Sequence, residues 1–525
     1  MRKVLLTLLF VTALVALVVN VWYQLGFYPF DTQRFVEDAY AVFSYARLVA
    51  IPVAVFAFLY QRGSPTKTLA WIAVMLGLPF LGTIVYLFFG LNVRQSIKFR
   101  RKQQRDAEAL RDYEATVSDT SGVDLFAELV GDVDASALSA QRQLVINTTG
   151  AEPTSAYAIE TYHDGRHLYD DVIADIAAAE HHVHVEYFLF EDDWLGERVA
   201  AALRAKAREG VEVRLIYDAV GSRSTKRSFW RKLERAGARV EPFFSVRFRH
   251  LANRINYRNH RKIVVVDGAI AYTGGHNVAK QYVDGVEGIE GLKEGHWRDT
   301  HVRLEGHAVS HLQLVFAFDW RFSNGEEVTG EPYFRTAFPK PGVMPVQIAS
   351  SGPDTPRNNI KYAYFNLLTR AERYCYMTTP YFAPDSSMLA AMKTAALAGV
   401  DVRLLMPKRS DSLIVTLASN SFVAELLEAG VKVYHYTAGM LHSKVVIVDD
   451  VAVSIGTANM DARSHDLNFE VNALLYDRDL ARRERRVLER DMAEGCDLLT
   501  TENWPSPKLH IRIARGFARV FSPLL

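Results

Sequence analysis

Long runs of apolar residues characterise the N-terminal part of the chain. Residues 4–22 and 70–89 are almost uninterrupted, and each run reaches the roughly 20 residues that a membrane helix needs. The shorter run at 49–60 is compatible with a full span, a half-span or an interfacial helix. Residues 4–22 exceed the apolar core of a signal peptide and no clear cleavage site follows, so the pattern favours an anchor over a cleaved leader. The sequence therefore predicts an N-terminal module of transmembrane helices.

The chain becomes strongly basic directly after this module. The basic residues are Arg94, Lys98, Arg100, Arg101, Lys102 and Arg105. By the positive-inside rule, such a cluster places everything downstream in the cytosol, where it also attracts anionic headgroups. Three complete spans would put Arg2 and Lys3 outside, whereas two would keep them inside. We therefore expect that one of the first two apolar segments does not cross fully.

From about residue 150 the pattern changes to short apolar strands that alternate with helices, and this order occurs twice. A strand, a helix and a strand are predicted at 184–190, 198–208 and 211–216 in the first half, and at 375–381, 388–397 and 400–405 in the second. This alternation predicts parallel or mixed sheets with helices on both faces. The duplication predicts two α/β lobes related by a pseudo-twofold axis.

These changes of pattern divide the chain into segments. They are membrane-anchoring helices at 1–92, a basic amphipathic linker at 93–150, a first lobe at 151–335, a second lobe at 336–500 and an amphipathic C-terminal segment at 501–525. Within the last segment, residues 511–521 place arginines three to four apart among apolar residues. That spacing is typical of an interfacial helix, and equally of a terminal helix docked on the core.

Composition narrows the classes of function. The chain has 525 residues, with 61 basic against 60 acidic side chains and a formal net charge of +1, which argues against a polycation that acts mainly on nucleic acid. Two cysteines cannot form a disulfide scaffold, and no Cys or His spacing offers a zinc site. His182 and His184 alternate along a strand, but no set of carboxylates is spaced to complete a metal site. We therefore predict no bound metal.

The residues that carry chemistry lie where the two halves agree most closely, in the pattern H-x-K-x4-D-x6-G-x-x-N. Its fixed positions are His260, Lys262, Asp267, Gly274 and Asn277 in the first half, and His442, Lys444, Asp449, Gly456 and Asn459 in the second. Each His and Lys project together, because residues two apart on a strand share a face. A pair of histidines can supply a nucleophile and an acid, while lysines and amides neutralise phosphate oxygens. The pattern predicts a site for phosphoryl-type transfer shared by both lobes.

Asp267 and Asp449 differ from the other motif residues. We count both among the catalytic candidates because they belong to the motif. Each nevertheless ends its strand before a turn, where an aspartate commonly accepts backbone N–H groups. Their position favours structural support over proton transfer.

With these motifs the chain resembles the phospholipase D superfamily and its duplicated HKD motif, and more narrowly the bacterial cardiolipin synthases of that superfamily. Further matching segments are 70–90, 297–301, 319–320, 379–385 and 463–470. The resemblance implies two pseudo-symmetric lobes of the phospholipase D type, with mixed sheets flanked by helices, behind two membrane helices. Residues 41–60 and 70–90 match those helices best, which leaves 4–22 as an addition.

The resemblance also implies a ping-pong transfer that needs no metal or cofactor. His260 would attack the phosphodiester of phosphatidylglycerol and form a phosphatidyl-histidine. His442 would protonate the departing glycerol and then deprotonate a hydroxyl of a second phosphatidylglycerol, which yields cardiolipin. The phosphate would be held by Lys262, Lys444, Asn277 and Asn459.

An acidic residue after each motif orients the histidine in such enzymes. Glu470 fits that place in the second half, and Asp299 is its counterpart in the first half. The first motif departs from the family at Gly275, where many members carry a serine, which removes one hydroxyl contact to phosphate.

The implied partners are phosphatidylglycerol and the bilayer of the bacterial inner membrane, with several spans and cytosolic lobes. A homodimer is plausible for a membrane enzyme, although no feature establishes one. The alternatives are a hydrolase or nuclease with water as acceptor, a transphosphatidylase that uses another alcohol, and a silent lipid-binding scaffold. The membrane module disfavours the nuclease, and the two intact motifs disfavour the scaffold.

Overall fold

The structure, a computed structural model, describes most of the chain downstream of residue 93. The described residues are 48, 50–55, 65–77, 82–83, 86, 93–116, 121–131, 136–244, 257–284, 297–504, 506–520 and 522. The chain divides into two compact units, Met1–Val93 and Arg94–Leu525. The apolar run at 4–22 lies outside the described residues, and those at 49–60 and 70–89 are described only in part.

The described part of the first unit is helical. Its helix α1 spans Pro65–Gly77, and the buried side chains around it include Ala54, Met75 and Tyr86. Trp71 packs edge-on against the ring of Tyr86 at 5.5 Å between centroids. Among the residues that the structure describes, no helix combines the length and the apolar character needed to cross a bilayer.

Two mixed sheets form the body of the second unit. The strands of the first half are β1 Thr154–Ala156, β2 Ala158–Tyr162, β3 His182–Tyr187, β4 Glu212–Tyr217, β5 Arg239–Pro242, β6 Arg258–Asn259, β7 Lys262–Val266, β8 Ile270–Gly274, β9 Trp297–Arg298 and β10 His301–Glu305. Those of the second half are β11 Met344–Ser351, β12 Tyr374–Thr378, β13 Phe382–Ala383, β14 Asp401–Pro407, β15 Lys432–Tyr436, β16 Met440–Leu441, β17 Val445–Val448, β18 Ala452–Gly456, β19 Met460–Asp461, β20 Asn468–Leu475 and β21 Cys496–Leu499. The first sheet has the strand order β2-β10-β8-β7-β3-β4-β5, and the second has the order β1-β11-β20-β18-β17-β12-β14-β15-β21.

The two halves repeat one topology. In the first half β7 is antiparallel to β8 and β3, and β3 continues in parallel to β4 and β5. In the second half β17 is antiparallel to β18 and β12, and β12 continues in parallel to β14 and β15. The predicted duplication and the mixed α/β class are confirmed for the described residues.

Helices flank both sheets. They are α2 Val93–Thr116, α3 Ser121–Gly131, α4 Ser136–Thr149, α5 Gly165–Ala178, α6 Trp194–Arg208, α7 Arg227–Arg235, α8 Gln281–Asp284, α9 Val309–Asn324, α10 Asn359–Thr369, α11 Ser386–Leu397, α12 Leu413–Asn420, α13 Val423–Glu428, α14 Ala462–Asp466, α15 Arg478–Gly495 and α16 Leu509–Val520. The segment predicted as a linker supplies α2, α3 and α4. Within it, Ser121 of α3 donates to the hydroxyl of Ser155 at 2.7 Å, so α3 packs on the lobes.

The motif strands are buried on both faces, which explains their unbroken apolar sequence. Ile263 and Val265 of β7 face a core shared by the two lobes, where they meet residues such as Ile447 of β17. Val264 and Val266 point the other way, into the core beneath the first-half helices. One face of each motif strand therefore joins the lobes to each other.

The C-terminal helix α16 is docked, and its orientation is unexpected. Arg519 bonds Glu425 at 2.5 Å and lies over the ring of Phe422, so the helix packs on the protein through a basic residue. Ile513 and Phe517, by contrast, are 63% and 64% exposed. The docked-helix interpretation fits the described residues, but the apolar side of the helix faces outward.

Candidate active site

Two very short strands carry the motif histidines across the boundary between the lobes. His260 follows β6, which pairs in parallel with β20 of the second half, and His442 follows β16, which pairs in parallel with β9 of the first half. The backbone N–H of His260 donates to the carbonyl of Phe469 at 2.9 Å. That of His442 donates to the carbonyl of Arg298 at 2.7 Å. Each histidine is therefore held by the other half of the chain.

The acidic partners of the two histidines are crossed in the same way. Nδ1 of His260 lies 2.9 Å from Glu470, and Nδ1 of His442 lies 2.6 Å from Asp299. The expected acids are present, but each serves the histidine of the opposite half rather than the histidine of its own motif. With Nδ1–H donating to a carboxylate, the lone pair remains on Nε2, the nitrogen that can attack phosphorus or carry a proton.

Both carboxylates are fully buried and are themselves held by donors. Thr457 and Asn468 donate to Glu470 at 2.5 and 3.1 Å, and the backbone N–H of Thr300 donates to Asp299 at 2.8 Å. Burial acts to raise the pKa of each carboxyl, but the neighbouring histidine and lysine outweigh it and lower the pKa of both. Both acids are therefore ionised, and each presents a carboxylate to Nδ1 of the histidine that it faces.

Burial also sets the charge of the motif histidines and lysines. It lowers the pKa of both histidines, and that of His442 falls to about 3 with a further contribution from Lys444. Burial and the charge of Lys444 lower the pKa of Lys262 to about 7, and burial lowers that of Lys444 to about 8. Each lysine donates to the carbonyl of its own motif histidine, at 2.8 Å for Lys262. The site thus combines neutral imidazoles with two lysines whose positive charges disfavour each other, and an anionic ligand would favour the charged form of both.

The motif asparagines have unequal surroundings. Asn277 donates to the hydroxyl of Tyr282 at 2.5 Å and accepts from the N–H of Leu189. The side-chain oxygen of Asn459 is buried and has no hydrogen-bond partner among the described residues. The oxygen of Asn459 can therefore accept from a ligand donor such as a hydroxyl, whereas the amide of Asn277 is bonded within its own lobe.

Comparison with known proteins places this site in a family. Residues 172–288 and 364–492 match the family described as "Cardiolipin synthase, PLD-like domain", and residues 48–90 match "Phospholipase_D-nuclease N-terminal". Cardiolipin synthase 2 of Bacillus anthracis is 40% identical over 476 residues, which cover 89% of this chain and 88% of that protein. The cardiolipin synthase of Geobacillus kaustophilus is 38% identical over 473 residues, 89% of this chain and 90% of that protein.

The chain belongs to the cardiolipin synthase family. A solved structure of phosphatidylserine synthase from Haemophilus influenzae supports the fold: it is 14% identical, covers 73% of this chain and 100% of its own, and has a TM-score of 0.54.

The glycine that departs from the family pattern has a steric reason. A Cβ atom built on Gly275 would lie 1.9 Å from a carboxylate oxygen of Asp299. At the corresponding place in the second half, Thr457 instead donates its hydroxyl to Glu470. Gly275 therefore makes room for the shorter acidic side chain, which is a different role from the lost phosphate contact that the sequence suggested.

Aromatic side chains that were not among the predicted site residues line the site. The rings of Trp297, Tyr282 and Tyr381 lie 5.5, 5.6 and 6.2 Å from that of His442. The ring of Phe188 lies 5.0 Å from that of His260. Phe188 could have been selected from the sequence, because it directly follows a buried strand whose end lies beside the motif lysine Lys262. Tyr282 and Trp297 could not, because they flank a segment with no strand pattern.

The histidine pair that suggested a metal lies elsewhere. His184 is fully buried, stacks on Phe316 and shares a hydrogen bond with Gln313. In the described parts of the chain, no group of three or more His, Cys, Asp or Glu side chains could hold a metal ion. His182 and His184 belong to the packing beneath the first sheet.

Asp267 and Asp449 lie at the far ends of the motif strands. At about 3.3 Å per residue, each is roughly 15 Å from the histidine end of its strand. Asp267 accepts the backbone N–H groups of Glu180, His181 and His182, each at 2.8 Å. Asp449 accepts three in the same way, at 2.8 to 2.9 Å. The structure does not bring these aspartates to the histidines.

We expect Asp267→Ala to lower the free energy of unfolding by about 3 kcal/mol, and Asp449→Ala by somewhat less because its turn is more open to water. Each change leaves three backbone donors without their carboxylate. Turnover per folded molecule should stay near the wild-type value, measured with denaturant unfolding and activity on the same preparations. Full stability combined with a hundredfold loss of turnover would instead assign a proton-transfer role to the aspartates.

Proposed function

We propose that the chain is a cardiolipin synthase that moves a phosphatidyl group from one phosphatidylglycerol to a second and releases glycerol. The observation that carries this proposal is the pair of crossed histidine–carboxylate contacts at 2.9 and 2.6 Å, set beside two buried lysines. Such a site offers two imidazoles, one to attack phosphorus and one to carry the proton. Membership of the cardiolipin synthase family is the reason for proposing phosphatidylglycerol as both donor and acceptor.

The first step forms a phosphatidyl-histidine. Nε2 of His260 attacks phosphorus, the bond from phosphorus to the glycerol oxygen breaks, and His442 gives its proton to glycerol. Because burial lowers the pKa of His442 to about 3, we infer that His442 takes up this proton together with the anionic substrate. The negative charge of the phosphodiester then favours the imidazolium.

The second step transfers the phosphatidyl group to the acceptor. Neutral His442 takes the proton from a hydroxyl of the second phosphatidylglycerol, whose oxygen attacks phosphorus as the bond to His260 breaks. The products are cardiolipin, free His260 and a protonated His442 ready for the next donor. Non-bridging oxygens are held by the ammonium groups of Lys262 and Lys444 and by the remaining amide N–H groups of Asn277 and Asn459, while Glu470 and Asp299 orient the imidazoles.

The competing function is a phospholipase D-type hydrolase, or a transphosphatidylase that uses another alcohol. Water is smaller than any lipid alcohol, so preference for a lipid acceptor requires that the site limit solvent. The aromatic rings of Trp297, Tyr282 and Tyr381 beside His442 supply apolar walls where the acceptor would enter. This observation supports transfer over hydrolysis.

We propose attachment to the bacterial inner membrane through several helices, with the lobes in the cytosol. The match at 48–90 and the basic residues exposed on α2 support this location. The outward apolar side of α16, with Ile513 and Phe517, supports a further contact with lipid. The division of the chain at residues 92, 150, 335 and 500 remains a prediction.

The function is tested with full-length protein in phosphatidylglycerol vesicles containing EDTA, by quantifying cardiolipin, phosphatidic acid and glycerol together. We expect equal amounts of cardiolipin and glycerol, and sedimentation of the protein with the vesicles. Phosphatidic acid with little cardiolipin would establish the hydrolase instead. Protein that stays in the supernatant would refute membrane attachment.

A further inference from the structure

The two halves of the site differ at the residue between the motif histidine and lysine. In the second half this residue is Ser443, which is buried and exchanges hydrogen bonds with the hydroxyls of Thr300 and Thr378 at 2.8 and 3.1 Å. The hydrogen-bonding needs of these three neutral hydroxyls are met by one another. In the first half the residue is Arg261, which is also buried but charged. Only the His260 half therefore needs buried counter-charges at this position.

Arg261 fixes the backbone that carries the acidic partner of His260. Its Nε donates to the carbonyl of Glu470 at 3.2 Å, and its guanidinium lies 5.4 Å from the centre of the Phe469 ring. The charge of Arg261 is met by an ion pair with Asp319 of α9. The carbonyl of Phe469 is the group that accepts the backbone N–H of His260. The position of Arg261 thus bears directly on the His260–Glu470 pair.

Asp319 is in turn held by a lysine from helix α2. Nζ of Lys102 lies 3.2 Å from Asp319, 2.7 Å from Asp106 and 2.8 Å from Asp354, and its side chain is only 4% exposed. Burial acts to lower the pKa of Lys102, but the three carboxylates outweigh it and raise the pKa. Lys102 is therefore a buried cation, although the sequence places it in a run that resembles a solvated basic surface.

The charges of this cluster balance only when Lys102 is included. Three carboxylates, those of Asp106, Asp319 and Asp354, face three cations, those of Lys102, Arg261 and Arg321. The neighbouring Glu186 has its pKa raised well above the usual value by burial and by Asp319, which keeps it neutral. Loss of one cation would leave an unpaired buried carboxylate, whose easiest response is to move or to draw in water.

We propose that Lys102 is a positioning residue for the nucleophile. By holding Asp319 against Arg261, helix α2 completes the His260 half of the active site and fixes the backbone of Glu470. Among the described residues, the hydroxyls around Ser443 make no such contact with α2. The proposal rests on the function proposed above, because it assigns to Lys102 an effect on one of the two chemical steps.

The test is Lys102→Met in the full-length protein, assayed in phosphatidylglycerol vesicles. We expect kcat per folded molecule to fall about ten- to a hundredfold, as for loss of a group that orients a catalytic residue. KM should change far less, because Lys262 and Lys444 are untouched. In single-turnover experiments, formation of the phosphatidyl-histidine should slow while its transfer to the acceptor keeps its rate. Lys102→Arg, which keeps the charge, should recover part of the loss.

Two control variants separate positioning from stability. Lys232→Met removes an exposed lysine from helix α7, away from both α2 and the histidines, and should keep the wild-type kcat. Arg303→Met removes a cation that bonds Asp175 and Tyr272 away from both histidines, and should lower stability without lowering kcat per folded molecule. If Lys102→Met behaves like Arg303→Met, the proposal is overturned.

A further variant keeps the test decisive if Lys102→Met does not fold. Lys102→Met combined with Asp354→Asn restores the charge balance but not the contact with Asp319, so it should fold and still form the adduct slowly. A wild-type rate of adduct formation in this double variant would overturn the proposal. Failure of the proposed function would look different, because the wild-type protein would then form the adduct without making cardiolipin.

Discussion

Replacing either motif histidine by asparagine is expected to lower kcat for cardiolipin formation by about a thousandfold or more. A nucleophile and a general acid each contribute an effect of about this size. Asparagine is the sharper choice because its amide can still donate to the carboxylate that faces Nδ1 of His260 or His442. Initial rates on phosphatidylglycerol vesicles, with equal amounts of folded protein, check the expectation.

The two histidine variants should differ with a substrate whose leaving group needs no proton, such as the phosphatidyl ester of p-nitrophenol. His442→Asn should give a stoichiometric burst of p-nitrophenol and retain the phosphatidyl group, which mass spectrometry of the intact protein would detect. His260→Asn should give neither. The reverse result would make His442 the nucleophile, and unimpaired turnover in both variants would refute the mechanism. His435→Asn, at a buried histidine beside Trp504, is the matched control.

The fold was predictable because its signals are local and occur twice. The apolar run of β7 and the matching run of β17 each follow a His-x-Lys and precede an aspartate. Burial on both faces demands such a run, so the pattern indicated mixed sheets, and its repetition indicated two lobes. The motif residues came from the same repetition, and the structure brings both histidine–lysine pairs to the boundary between the lobes.

The crossed pairing was not predictable, because it depends on β6, β9 and β16. Each of these strands is two residues long, and so short an element has no period from which a register can be inferred. Which acid meets which histidine is decided only when Phe469 of one half pairs with Asn259 of the other.

The burial of Lys102 was not predictable either, for a related reason. One lysine within a basic run resembles its exposed neighbours, and the carboxylates of Asp319 and Asp354 that bury it are more than two hundred residues away in the sequence. Only the fold reveals that Arg261 is buried, so that its charge requires those carboxylates.

The crossed contacts themselves make a second large prediction, for Glu470→Gln and Asp299→Asn. Each change keeps the shape of the side chain but removes the charge that holds Nδ1–H of a histidine. We expect each to lower kcat for cardiolipin formation about a hundredfold or more, as loss of the orienting acid does in other histidine-based sites. Both variants should fold, because Thr457 and Thr300 can still donate to the retained oxygen.

The p-nitrophenyl substrate then reports which histidine each acid serves. Because Glu470 faces His260, Glu470→Gln should slow the p-nitrophenol burst, in which His260 attacks phosphorus. Because Asp299 faces His442, Asp299→Asn should leave that burst nearly unchanged and slow only the transfer to the lipid acceptor. Acids that served the histidines of their own halves would give the opposite pattern. The control is Asp385→Asn, at a helix N-terminus outside the site, which loses the ion pair with Lys361. It should change neither step. A general loss of stability therefore cannot account for the expected difference between the two acids.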